Sequence, residues 1–441
     1  MKWILGTVGL LVLGLVLKLG LLVYAMYVLL GILGLSRFFS RSWINHLSAH
    51  RHCDRDHVEI GGTAATEVEI RNDGRLSIPW LIAEDTLPRE ALAQIPPRLK
   101  ADGQRLTLAR LAPGKSMTVR RQVTFLRRGY YQLGPLLLET GDVFGLHRRF
   151  RVAAEPRFVL VPPKVLPLQG YNLASRRPIG EIRVVHRLFE DPTRLAGIRP
   201  YQPGDPLNRI HWRATARTGA IHCRVYENSR VAGATFVLDF HEPKIPGAGP
   251  SPSAELAIVT VASLAHAVFL LGQQIGLVSN GRDAADRIRD EGWSAPFASR
   301  GAARTQATAA TANTRLQPVV VKTRKGEDQF GRILETLARL EHSDGLEFHE
   351  MLEEAAGEIP RDATVVAVLG RVTPATAAAL GELARRGFLV TVIVVSVDVA
   401  PPPDWAQPPE WARLLLERNV DFRVVNTEEA VTNLCAEAIV K

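Results

Sequence analysis

Three guanidinium groups recur every four residues: Arg209, Arg213 and Arg217, with His211 and Trp212 inside that spacing. A helix would bring side chains at that interval to one face. A guanidinium is a planar fork of donors suited to carboxylate or phosphate, and an indole beside it adds a stacking surface. The three lie within IRPYQPGDPLNRIHWRATARTGAIHCRVYE (198–227), where Pro203-Gly204-Asp205-Pro206 signals a tight turn. Arg199, Tyr201 and Gly219 complete the candidate set. Two readings compete. The groups form an anion or partner site, or they bind one another: Asp205 pairs with an Arg, Trp212 packs, and the segment braces two domains. Residues 176–230 hold eleven Arg, no Lys and five acidic residues. Arg outnumbers Lys 45 to 9 throughout, so the lack of Lys here decides nothing.

Other constellations are weaker. HLSAHRHCDRDH (46–57) is dense in His46, His50, His52, Cys53, Asp54, Asp56 and His57, but it meets no fixed zinc spacing. It reads as a basic stretch beside anionic lipid. Cys223 adjoins His222, but neighbours on a strand point to opposite faces. The chain has no G-x-S-x-G elbow, P-loop or G-x-G-x-x-G fingerprint, which argues against nucleophilic catalysis and nucleotide hydrolysis. Glu353-Glu354 reads as a solvated helix face.

The elements that must position these residues fall into three regions. Ile4–Leu35 is apolar apart from Lys18, and as one helix it would be about 48 Å long, against a hydrocarbon core of about 30 Å. A membrane segment over 1–36 is expected, as one span or a two-span hairpin. Arg37, Arg41, Arg51 and Arg55 follow it, which places the rest of the chain in the cytoplasm, anchored to the inner membrane. Over 57–161 short alternating stretches such as TEVEIRNDG (66–74) predict antiparallel strands and a β-sandwich. Over 231–441 continuous apolar strands alternate with helical patterns: GATFVLDF, a helix at 253–272, QQIGLVS, then helices and strands to VDFRVV (420–425). They predict an α/β domain with a mostly parallel sheet. Residues 296–318, rich in Ala, Thr, Ser and Arg, read as a flexible excursion.

Composition sets the outer bounds. The chain has 441 residues, 46% of them hydrophobic, which is enough for packed cores in more than one domain. Three Cys cannot build a disulfide framework or a four-thiolate zinc site. A net charge of +9 favours anionic neighbours such as lipid headgroups.

YQPGDPLNRIHWRATARTG (201–219) resembles the signature of the domain of unknown function 58 family, and RRGYYQLGPLLLETGDVFGLHRR (127–149) is similar to a second stretch of that family. The resemblance implies a membrane-anchored bacterial protein with a von Willebrand factor A-like (Rossmann-like) domain and an association with MoxR-type AAA+ ATPases. Such domains often bind a divalent cation through Asp-x-Ser-x-Ser. Asp239 matches the Asp, but His241 and Pro243 replace the two hydroxyls, and Arg371 stands where related domains tend to carry an acid. A degenerate site without a metal is expected, and no cofactor.

The expected function is a non-enzymatic adaptor. Membrane lipid holds its anchor, and a MoxR-type ATPase or its protein client is its partner. The alternatives are anion or nucleic-acid binding through 199–217, which has little aromatic platform beyond Trp212 and Tyr201, or an undescribed hydrolase.

Overall fold

The computed structural model describes residues 2–88, 91–92, 96–143, 145–168, 190–200, 211–228, 233–241, 251–291, 316–361, 363–397, 410–418 and 420–434. Two apolar helices open the chain, Lys2–Val16 (α1) and Gly20–Asn45 (α2). They reverse at Lys18, whose φ is 52°, and pack together with Gly14 against Leu22 and Val23. The N-terminal region is therefore a helical hairpin. Its 26-residue second helix is long and apolar enough to cross a membrane. Leu21 is 90% exposed and Tyr24, Val28 and Phe38 are also exposed, an apolar surface suited to lipid rather than water.

Helix α2 does not stop at the apolar boundary. Ser36, Ser40, Trp43 and Ile44 are buried, and the Ser36 hydroxyl lies 2.9 Å from His147 Nδ1. Strand Leu47–Cys53 (β1) follows at once and pairs antiparallel with Thr63–Asn72 (β2). One expectation is corrected here: the sandwich begins at Leu47 rather than 57, while the helix that carries the expected membrane segment runs on past 36 to Asn45. The stretch 46–57 is thus largely a sheet strand. Alternation in β1 is masked because Arg51 occupies an inward position. Its side chain is 3% exposed and is bonded to the buried Asp85, with Arg121 on the same carboxylate at 3.7 Å. A buried charge is tolerable only when paired in this way. Arg51 is therefore no topology signal, whereas Arg37, Arg41 and Arg55 remain exposed.

Two four-stranded antiparallel sheets form the sandwich. The first, in order β1-β2-β6-β4, adds Ser116–Phe125 (β6) and Leu99–Asp102 (β4). The second, β5-β3-β8-β9, comprises Leu106–Leu111, Ile78–Asp85, Leu136–Gly141 and Arg148–Ala154. A further pair joins Gly129–Leu133 (β7) to Arg157–Val161 (β10). Trp43, Ile44 and Leu47 share one core cluster with Ile70, Leu81 and Leu138, so the end of α2 is part of the sandwich interior.

The second domain is a six-stranded sheet in order β16-β14-β13-β18-β19-β20: Val319–Arg324, Gln274–Ser279, Gly233–Leu238, Ala363–Leu369, Val390–Val395 and Asp421–Val425. Five strands are parallel, and β16 lies antiparallel at the edge. Counted within this domain the order is 3-2-1-4-5-6, the doubly wound arrangement with its switch point between β13 and β18. All six β13 residues are buried, because helices cover both faces. Phe236 and Leu238 meet helices Pro252–Leu270 (α4) and Glu327–Arg339 (α6), whereas Val237 meets Phe348–Ala355 (α7) and Pro374–Arg385 (α8). Helix α4 has the length and apolarity of a membrane span, but it is a core helix of this domain. Strand β16 escapes the sequence reading, because VVVKTR is half polar at an exposed edge. Of the expected excursion, 296–315 lie outside the described residues.

Candidate functional site

The Arg-rich motif folds as an antiparallel strand pair carrying a short helix. Glu190–Pro200 (β11) pairs with His222–Asn228 (β12), placing Arg199 opposite Cys223. Between them Trp212–Thr218 (α3) is one short helix. His211 caps its start, its Nδ1 accepting from the Ala214 amide at 3.0 Å. Gly219 ends it in the left-handed region at φ 71°, donating to Thr215 O. Polar contacts fasten it to β12. The His222 amide donates to the Thr215 hydroxyl at 3.1 Å, and the His211 amide donates to His222 O at 2.8 Å.

No residue of α3 is buried. Trp212 is 68% exposed, Ile221 is 48% exposed, and Arg213 and Arg217 are open to solvent. Among the described residues the hydrogen bonds of His211–His222 are local, and none reaches either domain. Helix α3 starts at Trp212, so it unites Arg213 and Arg217 but does not include Arg209. The packed indole expected of a domain brace is contradicted. Tyr201, Pro203, Gly204, Asp205 and Arg209 lie outside the described residues, so the Asp205–Arg pairing falls there too. Four residues separate Asn228 from Gly233, tethering the motif to the amino end of β13. The strand ends that carry Asp239 are at the other end of the sheet.

A buried link between the domains is Arg128, which the sequence reading did not single out. The loop before β7 aims it. Tyr131 donates its hydroxyl hydrogen to Arg127 O at 2.8 Å, and Arg98 Nη2 donates to Arg128 O at 3.2 Å. From the sandwich, Arg128 enters the α/β domain with a side chain 4% exposed. It forks onto Glu255 of α4 at 3.0 and 3.2 Å, and its Nη1 donates to Leu337 O and Leu340 O at 2.7 and 3.0 Å. It also lies 5.5 Å from the Phe240 ring centroid. Burial lowers its pKa, opposed by Glu255. The signal available in the sequence was RRGYY itself: two Arg before a Gly at the start of a strand.

Asp239 lies just after β13, and its amide donates to Val368 O of β18 at 3.0 Å. Its Oδ1 accepts from Asn280 Nδ2 at 2.8 Å and from the His241 amide at 3.3 Å. Asn280, 2% exposed, also donates to Leu346 O and accepts from the Phe240 amide, joining three loops. Burial raises the Asp239 pKa, against the hydrogen bonds of Asn280 and His241 and the charges of His241 and Arg371. One carboxylate with an amide, an imidazole and a guanidinium nearby is not an oxygen-rich donor set, so these residues do not fit Mg²⁺. Asp239 fastens the loop, while Pro243 lies outside the described residues.

Fold and site together define a two-domain protein with a β-sandwich, a doubly wound α/β domain and an exposed Arg/Trp helix, preceded by an apolar hairpin. Residues 197–292 match the model of the family described as "Protein of unknown function DUF58". The match spans the Arg motif and the first part of the α/β domain, and it leaves out 127–149. The "Uncharacterized protein YeaD" of Bacillus subtilis is 23% identical over 241 residues, covering 54% of this chain and 57% of that protein, so the alignment spans little more than half of the relative. Among solved structures, the CARDB domain of the PF1109 protein from Pyrococcus furiosus aligns with 26% of this chain and 86% of its own, at 15% identity and a TM-score of 0.18. A cohesin module from a Clostridium perfringens family 33 glycoside hydrolase aligns with 26% of this chain and 96% of its own, at 14% identity and a TM-score of 0.19. At those scores neither adds to the fold described above.

Proposed function

We propose that this chain is a membrane-anchored, non-enzymatic adaptor that presents α3 to a protein partner. The observation that carries this reading is the exposure of Trp212, Arg213 and Arg217 on a helix whose hydrogen bonds, among the described residues, are local. An exposed indole flanked by guanidinium groups has the composition of a binding hot spot rather than of an ordinary solvated face. The brace that the motif was the candidate to supply is already made by Arg128.

The doubly wound sheet with its antiparallel edge supports reading the α/β domain as von Willebrand factor A-like. Family resemblance makes a MoxR-type AAA+ ATPase, or its client, the partner of choice. Exposed Arg37, Arg41 and Arg55 just beyond the apolar helix support a cytoplasmic body under the positive-inside rule. The mechanism would be recruitment: the hairpin fixes the adaptor in the bilayer, and the body holds remodelling activity at the membrane.

The test is purification of tagged full-length protein from its native membranes, with and without a non-hydrolysable ATP analogue, followed by mass spectrometry. Nucleotide-sensitive capture of an AAA+ ATPase is expected. Capture that collapses with rising salt and yields only nucleic acid would favour the anion-binding alternative.

A further inference from the structure

A second surface lies on the α/β domain, between edge strand β16 and helix α6. A groove of about 330 Å³ there is lined by Val320, Val321, Lys322 and Arg324 from the strand, and by Gln329, Arg332, Glu335, Thr336 and Arg339 from the helix. The helix residues are spaced three, three, one and three apart, which is one face. Four cationic side chains therefore meet one carboxylate. Lys322 is 3.2 Å from Glu358 and Arg339 is 3.3 Å from Asp283, so two of the four have internal counter-charges. Among the described residues Arg324 and Arg332 form no ion pair. The register of β16 on β14 slips between Val321 and Arg324, and Arg324 is among the groove's lining residues.

Two features separate this groove from an ordinary charged rim. The strand is the edge of the sheet among the described residues, and an edge leaves one row of backbone donors and acceptors open for another strand. The cations also come from both walls. Charges that merely protect an edge need only sit on the strand, whereas Arg332 and Arg339 belong to the helix. The site offers main-chain pairing along one wall and guanidinium groups along the other.

We infer that the β16–α6 groove binds an extended acidic segment of a protein partner, which adds to the sheet beside β16 and places carboxylates against Arg324 and Arg332. Strand addition supplies the backbone bonds, and alternate side chains supply the specificity. The groove is separate from α3 and does not depend on the role proposed for it.

The test uses full-length protein in detergent micelles and two fluorescein-labelled decapeptides, one alternating Glu and Val, the other Lys and Val. Anisotropy should show the Glu peptide bound at least tenfold more tightly. The doubly substituted protein, Arg324→Glu with Arg332→Glu, should lose at least tenfold in affinity at unchanged Tm, because both side chains are exposed. Trp212→Ala with Arg213→Glu should leave peptide affinity unchanged. Hydrogen exchange of amides 319–324 should slow when the Glu peptide is bound. Equal binding of both peptides, wild-type affinity in the Arg324/Arg332 variant, or unprotected 319–324 amides would each overturn the assignment.

Discussion

At the scale of single residues, Arg128 and Asp239 carry most of the consequence. Arg128 spends its donors across a domain boundary, on a carboxylate and two carbonyls. Removing one partner of a buried pair leaves the rest uncompensated, typically about 3–5 kcal/mol. Arg128→Ala should cost about that much in urea unfolding and split one transition into two. Arg128→Lys should fail to rescue it, because an ammonium cannot reproduce the fork. Asp239 makes the opposite kind of prediction. Its pKa is raised on folding, so the folded state holds the proton more tightly. The stability this gives is present below the unfolded value of about 3.9 and is lost as pH rises through the folded value. Asp239→Asn keeps the acceptor for Asn280 and His241 and removes the charge. Its Tm should match or exceed wild type at pH 8, and that pH dependence should be absent. Asp239→Ala removes the acceptor and should cost about 1–3 kcal/mol. A Tm for Asp239→Asn well below wild type at pH 8 would mean that the charge itself is used.

At the scale of elements, legibility followed burial. The strands of the α/β domain could be read because two-sided burial makes them continuously apolar: GATFVL and ATVVAVL have no other plausible home. Helix α8 was legible from Pro374 at its start and Gly387 after its end. Strands β1 and β16 were not. In β1 an inward Arg51 replaces the expected apolar residue, and only Asp85, thirty-four positions on, makes that tolerable. In β16 the outer edge is solvated, and its pattern is broken by a register slip. The candidate site was legible in kind but not in use. Residue type and spacing gave Arg213 and Arg217 one face, but the sequence could not show whether Trp212 was packed or exposed. Nor could it show Arg128, whose partners lie more than a hundred residues away. Helix α3 also makes a prediction of its own. Trp212→Ala with Arg213→Glu should leave Tm within about 0.5 kcal/mol equivalent of wild type, as expected for exposed positions, while partner capture falls at least tenfold.

At the scale of the whole molecule, the apolar hairpin and the body are continuous. Helix α2 emerges from its apolar stretch and delivers Trp43 and Ile44 into the sandwich core, so no linker separates the hairpin from the first domain. Arg128 then ties that domain to the second. A fragment starting at residue 37 retains these core residues and should express as a folded soluble body. One starting at 57 lacks β1, Trp43, Ile44 and Leu47 and should aggregate, even though 57 is where the sequence placed the boundary. Equal solubility of the two would refute the role assigned to the end of α2.

The central claim is that α3 meets a protein partner. The most direct measurement replaces Trp212 with a photo-crosslinking phenylalanine analogue in the full-length protein, irradiates native membranes and identifies the adduct by mass spectrometry. The account predicts one dominant adduct with an AAA+ ATPase or its client, lost when Arg213→Glu is added at unchanged Tm. An adduct only within the chain itself, or none while the same analogue at an exposed position outside α3 captures that ATPase, would contradict it.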